Sequence, residues 1–401
     1  MLASKSVAKR AAIALLLSLL VLSGSLLPRS TAEAQSGRKP ADQPAQKKTD
    51  VQQSADVPEA QHGSQIPKSQ KDMPTIKIGT NVVNIEASVL YKKTGRLVTG
   101  LNKKNFTVYE DGVKQEITNF TVGEGPTTVV LLLDNGFQNN YWHGFFTPTF
   151  TQEIFTSAAG FVQGFMRKGD FASVVTFSLR PKVIQDFTGD TGRLMAALQA
   201  AYHDYINFSE SNIFDALAFT LEGGKALQLY AEDAGESHYI GLEELEGHTA
   251  VLLITTGIDT FSKITYDKAM KIVASAGVPI FTVGVGNLYY KMSNMSGARD
   301  LTWIQAQNEL QTFAKLSGGA YFPMTFQGEI PQIMQNISAL LRTQYSLGYV
   351  PSNPRQEGKE RSIKLEVDVD GDGQPDNKIL DLRYREKYVE PGVATKASKG
   401  K

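Results

Sequence analysis

The 401-residue sequence contains no cysteine. This absence excludes disulfides, thiolate metal sites and thiol nucleophiles, so the fold must be stabilised by a packed core. The 41 basic and 41 acidic residues balance to a net charge of zero. The sequence therefore lacks the surplus of basic residues that would indicate a nucleic-acid partner. Only the N terminus carries a long apolar run, so we expect no further membrane spans along the chain.

Recognisable catalytic motifs are also missing. The five histidines show no His-Glu-x-x-His spacing, and neither a Gly-x-Ser-x-Gly elbow nor a phosphate-binding Gly-x-x-x-x-Gly-Lys-Ser/Thr loop occurs. Gly284-Val285-Gly286 lacks the third glycine of a dinucleotide fingerprint. We therefore expect a protein that binds rather than an enzyme. Two alternatives stay open: an exported enzyme or enzyme subunit of hydrolase type, and an inert structural protein of the cell envelope.

The N terminus has the layout of an export signal. Lys5, Lys9 and Arg10 precede an apolar run over 11–22, and Ala32-Glu33-Ala34 suits a signal peptidase. We predict a signal peptide over 1–34 and an exported protein, periplasmic or secreted, without a transmembrane span after cleavage. A retained membrane anchor is the alternative, although the run is short for a hydrocarbon core about 30 Å thick.

Flanking segments of polar composition are predicted to be disordered. Residues 35–75 are rich in Gln, Lys, Ser, Asp, Ala and Pro and have few large apolar side chains, which predicts a disordered linker. Residues 391–401 are predicted to form a disordered tail.

Residues 76–125 predict a small antiparallel β module. A strand is expected over 82–90, and 97–101 reads as the start of a second element. Phe106, Val108 and Tyr109 lead into Glu110-Asp111-Gly112, a hairpin signal because Asp-Gly tolerates positive φ. We expect the returning strand over 117–122.

Strands alternate with helices over residues 126–343. Apolar runs predict strands over 129–133, 171–177, 250–254 and 278–285, with shorter strands over 182–187 and 320–322. Helical spacing predicts helices over 155–165, after a capping box at Thr149 and Gln152, and over 192–202, 213–221, 266–276, 310–316 and 330–341. This alternation predicts an α/β fold with a doubly wound, mostly parallel sheet, whose ligands bind beyond the carboxyl ends of the strands.

The last part of the chain returns to strands, over 345–350, 363–369 and 379–388. We expect residues 344–390 to pair with the N-terminal module, which would form a β-sandwich-like unit from the two ends of the chain.

The order of these segments resembles a von Willebrand factor A domain, close to the bacterial "VWFA-related" family abundant in Acidobacteria. The resemblance covers 76–388, and its landmarks are Gly100-Leu101, 106–112, 130–134, 211–217, 251–259, 280–286, 316–321 and 345–349. It implies protein–protein interaction or cell adhesion through a metal-ion-dependent adhesion site at the strand ends.

The resemblance implies a degenerate form of that site. The family pattern is Asp-x-Ser-x-Ser, a Thr on a neighbouring loop and an Asp after the fourth strand. Asp134 takes the first Asp position and Ser211 can replace the Thr, while Gly136 and Gln138 stand at the serine positions and Thr256 at the second Asp. Asp134 and Ser211 would form a weak site for Mg²⁺, which gives up water reluctantly.

We expect partner contacts at the same edge of the sheet. The predicted partner-binding residues are Gly136, Phe137, Gln138, Tyr141, Trp142 and Thr256. An exposed aromatic loop would mark an interaction site. The alternatives are that these aromatic side chains only pack the loop, and that Asp134 caps loops without a metal.

A second cation site is predicted near the C terminus. Acidic side chains occupy loop positions one, three, five and nine, and glycine occupies position six; the residues are Asp368, Asp370, Asp372, Asp376 and Gly373. This spacing resembles EF-hand-like and dockerin-like calcium loops. Ile379 takes position twelve, where a Glu is expected, and strands rather than helices flank the loop. A solvated acidic turn without Ca²⁺ is the alternative.

Overall fold

The structure is a computed structural model that describes residues 82–123, 125–136, 147–204, 210–224, 226, 239–245, 247–292, 297–353 and 357–390, with the backbone alone at 147–149 and 298. The predicted signal peptide, linker and C-terminal tail lie outside the described residues.

Fourteen strands occur in the described residues: β1 Val83–Tyr91, β2 Phe106–Glu110, β3 Val113–Gln115, β4 Ile117–Val122, β5 Thr127–Asp134, β6 Phe171–Phe177, β7 Pro181–Thr188, β8 His248–Thr255, β9 Ile280–Gly284, β10 Tyr321–Pro323, β11 Tyr345–Tyr349, β12 Glu360–Val367, β13 Leu380–Arg383 and β14 Lys387–Val389. The described α-helices are α1 Thr147–Phe165, α2 Thr191–His203, α3 Ile213–Glu222, α4 Tyr266–Ala276, α5 Asn287–Met292, α6 Ala298–Ser317 and α7 Ile330–Arg342.

A six-stranded sheet forms the centre of the α/β part, in the order β10-β9-β8-β5-β6-β7. Five strands run parallel and β7 alone is antiparallel, to its neighbour β6. The order runs outward from β5 in both directions, as in a doubly wound sheet. The α/β fold class predicted from the sequence is therefore confirmed.

Alternate side chains of the central strand β5 pack against opposite helical layers. Leu131 and Leu133 belong to a core shared with α1, α2 and α7, whereas Val130 and Leu132 belong to a core shared with α3, α4 and α6. Successive residues of a strand point to opposite faces, so a strand covered on both faces must be apolar throughout. All residues of β5 are buried, which explains the unbroken apolar run.

Two four-stranded antiparallel sheets form the second part, in the orders β13-β1-β11-β4 and β14-β12-β2-β3. Each combines early and late strands: β1 pairs with β11 and β13, and β2 pairs with β12. Their inner faces share one hydrophobic core that includes Ile85, Val108, Leu347 and Leu365. The predicted β-sandwich assembled from both ends of the chain is confirmed.

A buried ionic network lies in this sandwich. Glu110 accepts hydrogen bonds from Arg361 at 2.6 Å, from the Tyr349 hydroxyl at 2.7 Å and from the Tyr388 hydroxyl at 2.8 Å. Arg361 also pairs with Glu390. The network joins strands from the two ends of the chain and leaves the guanidinium charge compensated, which burial requires.

The hairpin was predicted with the wrong returning strand. Asp111 and Gly112 make the turn, with φ of 48° and 81°, but the strand that returns beside β2 is β3. The predicted return over 117–122 is β4, which pairs with β11 in the other sheet. Only Glu116 separates β3 from β4, so the chain changes sheets within one residue.

Other boundaries differ for local reasons. The predicted strand over 379–388 is two strands, β13 and β14, which belong to different sheets. Residues 97–101 form one bridge, Leu90 to Leu97, rather than a strand. Helix α1 begins at Thr147, so Thr149 lies inside it instead of capping it. Helix α5 was not predicted. Within the described residues, no helix is long and apolar enough to cross a membrane.

Candidate functional site

Asp134 is the last residue of β5 and lies at the carboxyl edge of the six-stranded sheet. Its side chain is 1% exposed. Oδ2 accepts hydrogen bonds from the hydroxyls of Thr255 at 2.6 Å and Ser211 at 2.9 Å. Oδ1 accepts the Gly136 N–H at 3.0 Å. One carboxylate therefore joins the ends of β5 and β8 to the segment that precedes α3.

These hydrogen bonds do not fully offset the cost of burying the negative charge of the Asp134 carboxylate. Burial raises the pKa of Asp134 to about 6, although the hydrogen bonds from Thr255, Gly136 and Ser211 lower it. The negative charge of Asp259 raises it further. The protonated and ionised forms of Asp134 are therefore both accessible near neutral pH.

The segment before α3 is fixed to its neighbours by backbone and side-chain bonds. The Ser211 N–H donates to the Thr260 hydroxyl at 2.8 Å, and the Thr260 N–H donates back to the Ser211 carbonyl at 2.9 Å. Asn212 donates from its N–H to the Ser178 carbonyl at 2.9 Å. The segments that contain Ser178, Ser211 and Thr260 are thus joined by specific hydrogen bonds rather than by apolar packing alone.

Asp259 caps helix α3 from a different loop. Its Oδ1 accepts the Ile213 N–H at 2.8 Å and the Ser262 hydroxyl. Burial raises the pKa of the Asp259 carboxyl, and the bond from Ser262 opposes that rise. A carboxylate at a helix N terminus satisfies free N–H groups and meets the positive end of the dipole. The loop from Thr256 to Ile264 is therefore held in one conformation.

Phe261 projects from this fixed loop and is 68% exposed. Its N–H donates to Asn212 Oδ1 at 3.1 Å, so the backbone is anchored while the ring faces solvent. An aromatic ring held in solvent by an ordered backbone is a feature of binding surfaces.

The predicted site residues are distributed as follows. Asp134 and Ser211 meet, as the adhesion-site pattern implies. Gly136 and Thr256 are buried, so neither offers surface to a partner in this conformation. The Thr256 hydroxyl has no hydrogen-bond partner among the described residues. The other predicted partner-binding residues, Phe137, Gln138, Tyr141 and Trp142, lie outside the described residues.

The oxygen donors here fit a magnesium ion weakly. Asp134 is the one carboxylate that the carried-over pattern supplies, and its oxygens already accept three hydrogen bonds. A serine cannot occupy position 136 without a backbone shift, because a Cβ there would lie 2.0 Å from the Glu210 carbonyl oxygen. Mg²⁺ prefers six well-placed oxygen ligands, so the described residues of this edge would hold it only together with several waters.

The predicted calcium loop forms a compact turn between β12 and β13. Carboxylate oxygens of Asp368, Asp370 and Asp376 lie within 4.8 Å of one another. Asp368 accepts the N–H groups of Gly371 at 2.7 Å and Gly373 at 2.8 Å. Burial alone would raise the pKa of Asp368, but these two bonds, together with those from Asp370 and the Asp372 N–H, hold the pKa below its usual value.

The fourth predicted ligand, Asp372, is not part of this group of three. Its Oδ1 instead accepts the Gln374 N–H at 2.7 Å, as in an Asx turn.

Sequence reasoning missed Thr255 and Asp259. Thr256 was chosen for the second Asp position, but it is the preceding hydroxyl, at the end of β8, that reaches Asp134. Asp259 and Ser262 have the three-residue spacing of a side-chain turn, a signal that could have revealed the helix cap. Nothing in the sequence indicated that Phe261 would be exposed.

No protein-family profile matches the sequence, and no curated protein matches it. Similar solved structures include proximal thread matrix protein 1 from the mussel byssus, at 17% identity and a TM-score of 0.36, covering 54% of this chain and 48% of that one. BatB from Bacteroides thetaiotaomicron has 16% identity and a TM-score of 0.35, covering 55% and 100%. The vWF domain of the type V pili tip protein Mfa5 from Porphyromonas gingivalis has 13% identity and a TM-score of 0.35, covering 54% and 95%.

The chain spans about half the length of the mussel protein. Likeness at these identities concerns the fold alone. The fold class therefore rests on the observed strand order.

Proposed function

We propose that this chain is an exported binding protein of the von Willebrand factor A type, related to the bacterial "VWFA-related" family, which contacts a partner protein at the carboxyl edge of its six-stranded sheet. One observation carries this proposal: the buried carboxylate of Asp134, at the end of β5, accepts hydrogen bonds from the hydroxyls of Ser211, before α3, and Thr255, at the end of β8. A surface with fixed loops loses little conformational entropy when it binds, which favours recognition.

Among the residues that the structure describes, Phe261 is the one whose side chain we propose to contact the partner. It is exposed, aromatic and carried by a loop that Asp259 and Asn212 hold in place. Aromatic side chains of this kind contribute a large share of the energy of protein interfaces. We propose that Phe137, Tyr141 and Trp142, which follow β5 in the sequence, extend the same surface.

Binding rather than catalysis is proposed because the buried carboxylate of this edge already accepts bonds from neighbouring hydroxyl and N–H groups. Asp134 has the raised pKa of a candidate acid or base, but its hydroxyl neighbours donate to it and it is almost fully buried. A general base needs access to a substrate proton. The metal is proposed to be dispensable, since hydrogen bonds already join the loops.

A capture experiment on the exported proteome tests this proposal. Mature wild-type protein and Phe261→Ser are immobilised and compared by quantitative mass spectrometry. Proteins retained by the wild type should be depleted at least about tenfold on the variant, because loss of an interface hot spot costs about 2 kcal/mol or more. Captures with chelator and with added Mg²⁺ show whether a metal contributes.

Ile379→Ser is the matched control. Ile379 is 54% exposed and precedes β13 in the β-sandwich, where its carbonyl accepts the Lys92 N–H, rather than any strand of the six-stranded sheet. The proposal expects this variant to retain the partner. Equal capture by wild type and Phe261→Ser, or equal loss in both variants, contradicts a partner site at this edge.

We also propose that the loop between β12 and β13 binds Ca²⁺. The clustering of Asp368, Asp370 and Asp376 favours it, because three carboxylates this close offer the oxygen ligands that Ca²⁺ prefers. Calcium here would stabilise the β-sandwich, since both flanking strands belong to it.

A further inference from the structure

The β-sandwich and the α/β sheet meet at a pair of titratable side chains. Glu86 belongs to β1 of the sandwich, and His248 is the first residue of β8 in the six-stranded sheet. Glu86 Oε2 and His248 Nδ1 lie 3.7 Å apart, and the two side chains are only 12% and 16% exposed. This contact therefore joins the two parts of the molecule in a largely dry environment.

Glu86 Oε2 and His248 Nδ1 face each other across this contact. Within the described part of the chain, neither Glu86 Oε2 nor His248 Nδ1 has a hydrogen-bond partner. The other carboxylate oxygen, Oε1, accepts the Ser346 hydroxyl at 2.6 Å. A carboxylate oxygen can only accept, so Nδ1 compensates it only when that nitrogen carries a proton. A lone pair on Nδ1 would face the carboxylate and repel it.

We propose that Glu86 and His248 form a pH-sensitive latch between the β-sandwich and the α/β sheet. Protonation of His248 closes the latch by forming a buried ion pair. Deprotonation leaves the Glu86 carboxylate facing an uncharged ring and loosens the junction.

The other charged groups around the latch do not replace the histidine. Arg385, which follows β13, donates to the backbone carbonyls of Asn84 and Ser275, and its charge acts on Glu86 from a distance. Asp170 and Arg342, on the elements near the start of β5, pair with each other. Among the described residues of this junction, His248 is therefore the group whose charge changes near neutral pH.

The direction of the pH effect follows from the pKa of His248. The interaction with Glu86 raises that pKa above its usual value, and burial opposes the rise only in part. A raised folded-state pKa means that the latch stabilises the junction fully below about pH 6.5 and that this contribution is lost as the pH rises through the folded-state value. The junction is thus tighter in mild acid.

The test combines a titration with an exchange measurement. The His248 imidazole is titrated by NMR in wild type and Glu86→Gln, and the variant should have the lower pKa. Hydrogen exchange of β1 and the start of β8, corrected for intrinsic rates, is then compared at about pH 6 and about pH 8.5. In wild type these segments should exchange several-fold faster at the higher pH, and in His248→Gln the pH effect should vanish.

His203→Gln is the control, because His203 is exposed at the end of α2 and should leave both measurements unchanged. The latch is refuted if His248→Gln keeps the wild-type pH effect, or if Glu86→Gln leaves the His248 titration unmoved. The NMR comparison decides the matter even if the exchange experiment is complicated by destabilisation of one variant.

Discussion

The Thr255 hydroxyl donates a 2.6 Å hydrogen bond to the carboxylate of Asp134, and so joins the last residues of two neighbouring parallel strands. Replacing this hydroxyl tests how strongly the bond holds the edge together. Thr255→Val should lower the free energy of unfolding by about 2 kcal/mol, because a buried charged acceptor loses a donor. Urea denaturation measures the change. Thr220→Val is the control: Thr220 is equally buried, but its hydroxyl bonds only to the Ala216 carbonyl in its own helix, so its loss should cost less.

The pH dependence of stability should reveal the buried Asp134. Its pKa is about 6 in the folded chain and 3.8 as the ordinary value. Between about pH 4 and about pH 6 the folded state therefore holds a proton on Asp134 that the unfolded state has lost, so the contribution of Asp134 lowers stability as the pH rises. Asp134→Asn should flatten this slope in urea titrations, whereas Asp267→Asn, at an exposed position of α4, should not. Parallel slopes in wild type and Asp134→Asn would contradict the assignment.

Restoring the serine of the adhesion-site pattern should fail. Gly136→Ser places a Cβ against the Glu210 carbonyl, and we expect a loss of about 3 kcal/mol in stability without any gain in Mg²⁺ affinity. Gly164→Ala is the control, since a Cβ at that helical position meets nothing within 4 Å. That variant should gain about 0.5–1 kcal/mol. A stable Gly136→Ser protein would show that the segment can move.

Calcium titrations can show whether the loop between β12 and β13 binds the ion through three aspartates or through four. Asp370→Asn should weaken Ca²⁺ binding by at least about tenfold in isothermal calorimetry, because it removes a charge from the clustered carboxylates. Asp372→Asn should have a smaller effect, since Asp372 lies outside the cluster and an asparagine can keep the bond from the Gln374 N–H. Absence of Ca²⁺ binding in wild type would remove the calcium proposal, and equal effects of both variants would support the four-ligand set.

The sandwich network should be sensitive to loss of its cation. Arg361→Met leaves Glu110 and Glu390 without their buried partner and should cost about 3–5 kcal/mol in thermal or urea unfolding. Lys182→Met removes the cation of an exposed pair with Asp204 and should cost less than about 1 kcal/mol. Similar losses in the two variants would mean that the buried network is not the stabilising element.

The sequence predicted best those elements whose pattern is set by burial. β5, β6, β8 and α4 were found within one or two residues, because strands covered on both faces are apolar throughout and an amphipathic helix shows its period. The change of sheet at Glu116 was missed, since a single residue separates β3 from β4 and no glycine or proline marks the boundary. β3 pairs with the preceding strand β2, whereas β4 pairs with β11, which lies more than two hundred residues away, so no local pattern indicates the change of sheet.

The candidate site was predicted in part for a similar reason. Asp134 and Ser211 were found because they stand at positions of a known pattern. Thr255 and Thr256 differ by one residue, and which hydroxyl turns toward Asp134 depends on the strand register and on where β8 ends. The contact between Glu86 and His248 joins two parts of the chain that no local pattern relates.

The origin of the sandwich from both ends of the chain also governs when it can form. β1 lies between β11 and β13, and β2 lies between β3 and β12, so β1 lacks both neighbours and β2 lacks one of its two until the late strands have been synthesised. A ribosome or a secretion channel that delivers the chain in order releases these early strands first, with open edges. The β-sandwich can therefore be completed only after the last strands have been made. Interruption of synthesis before β11 leaves exposed strands that can associate between chains.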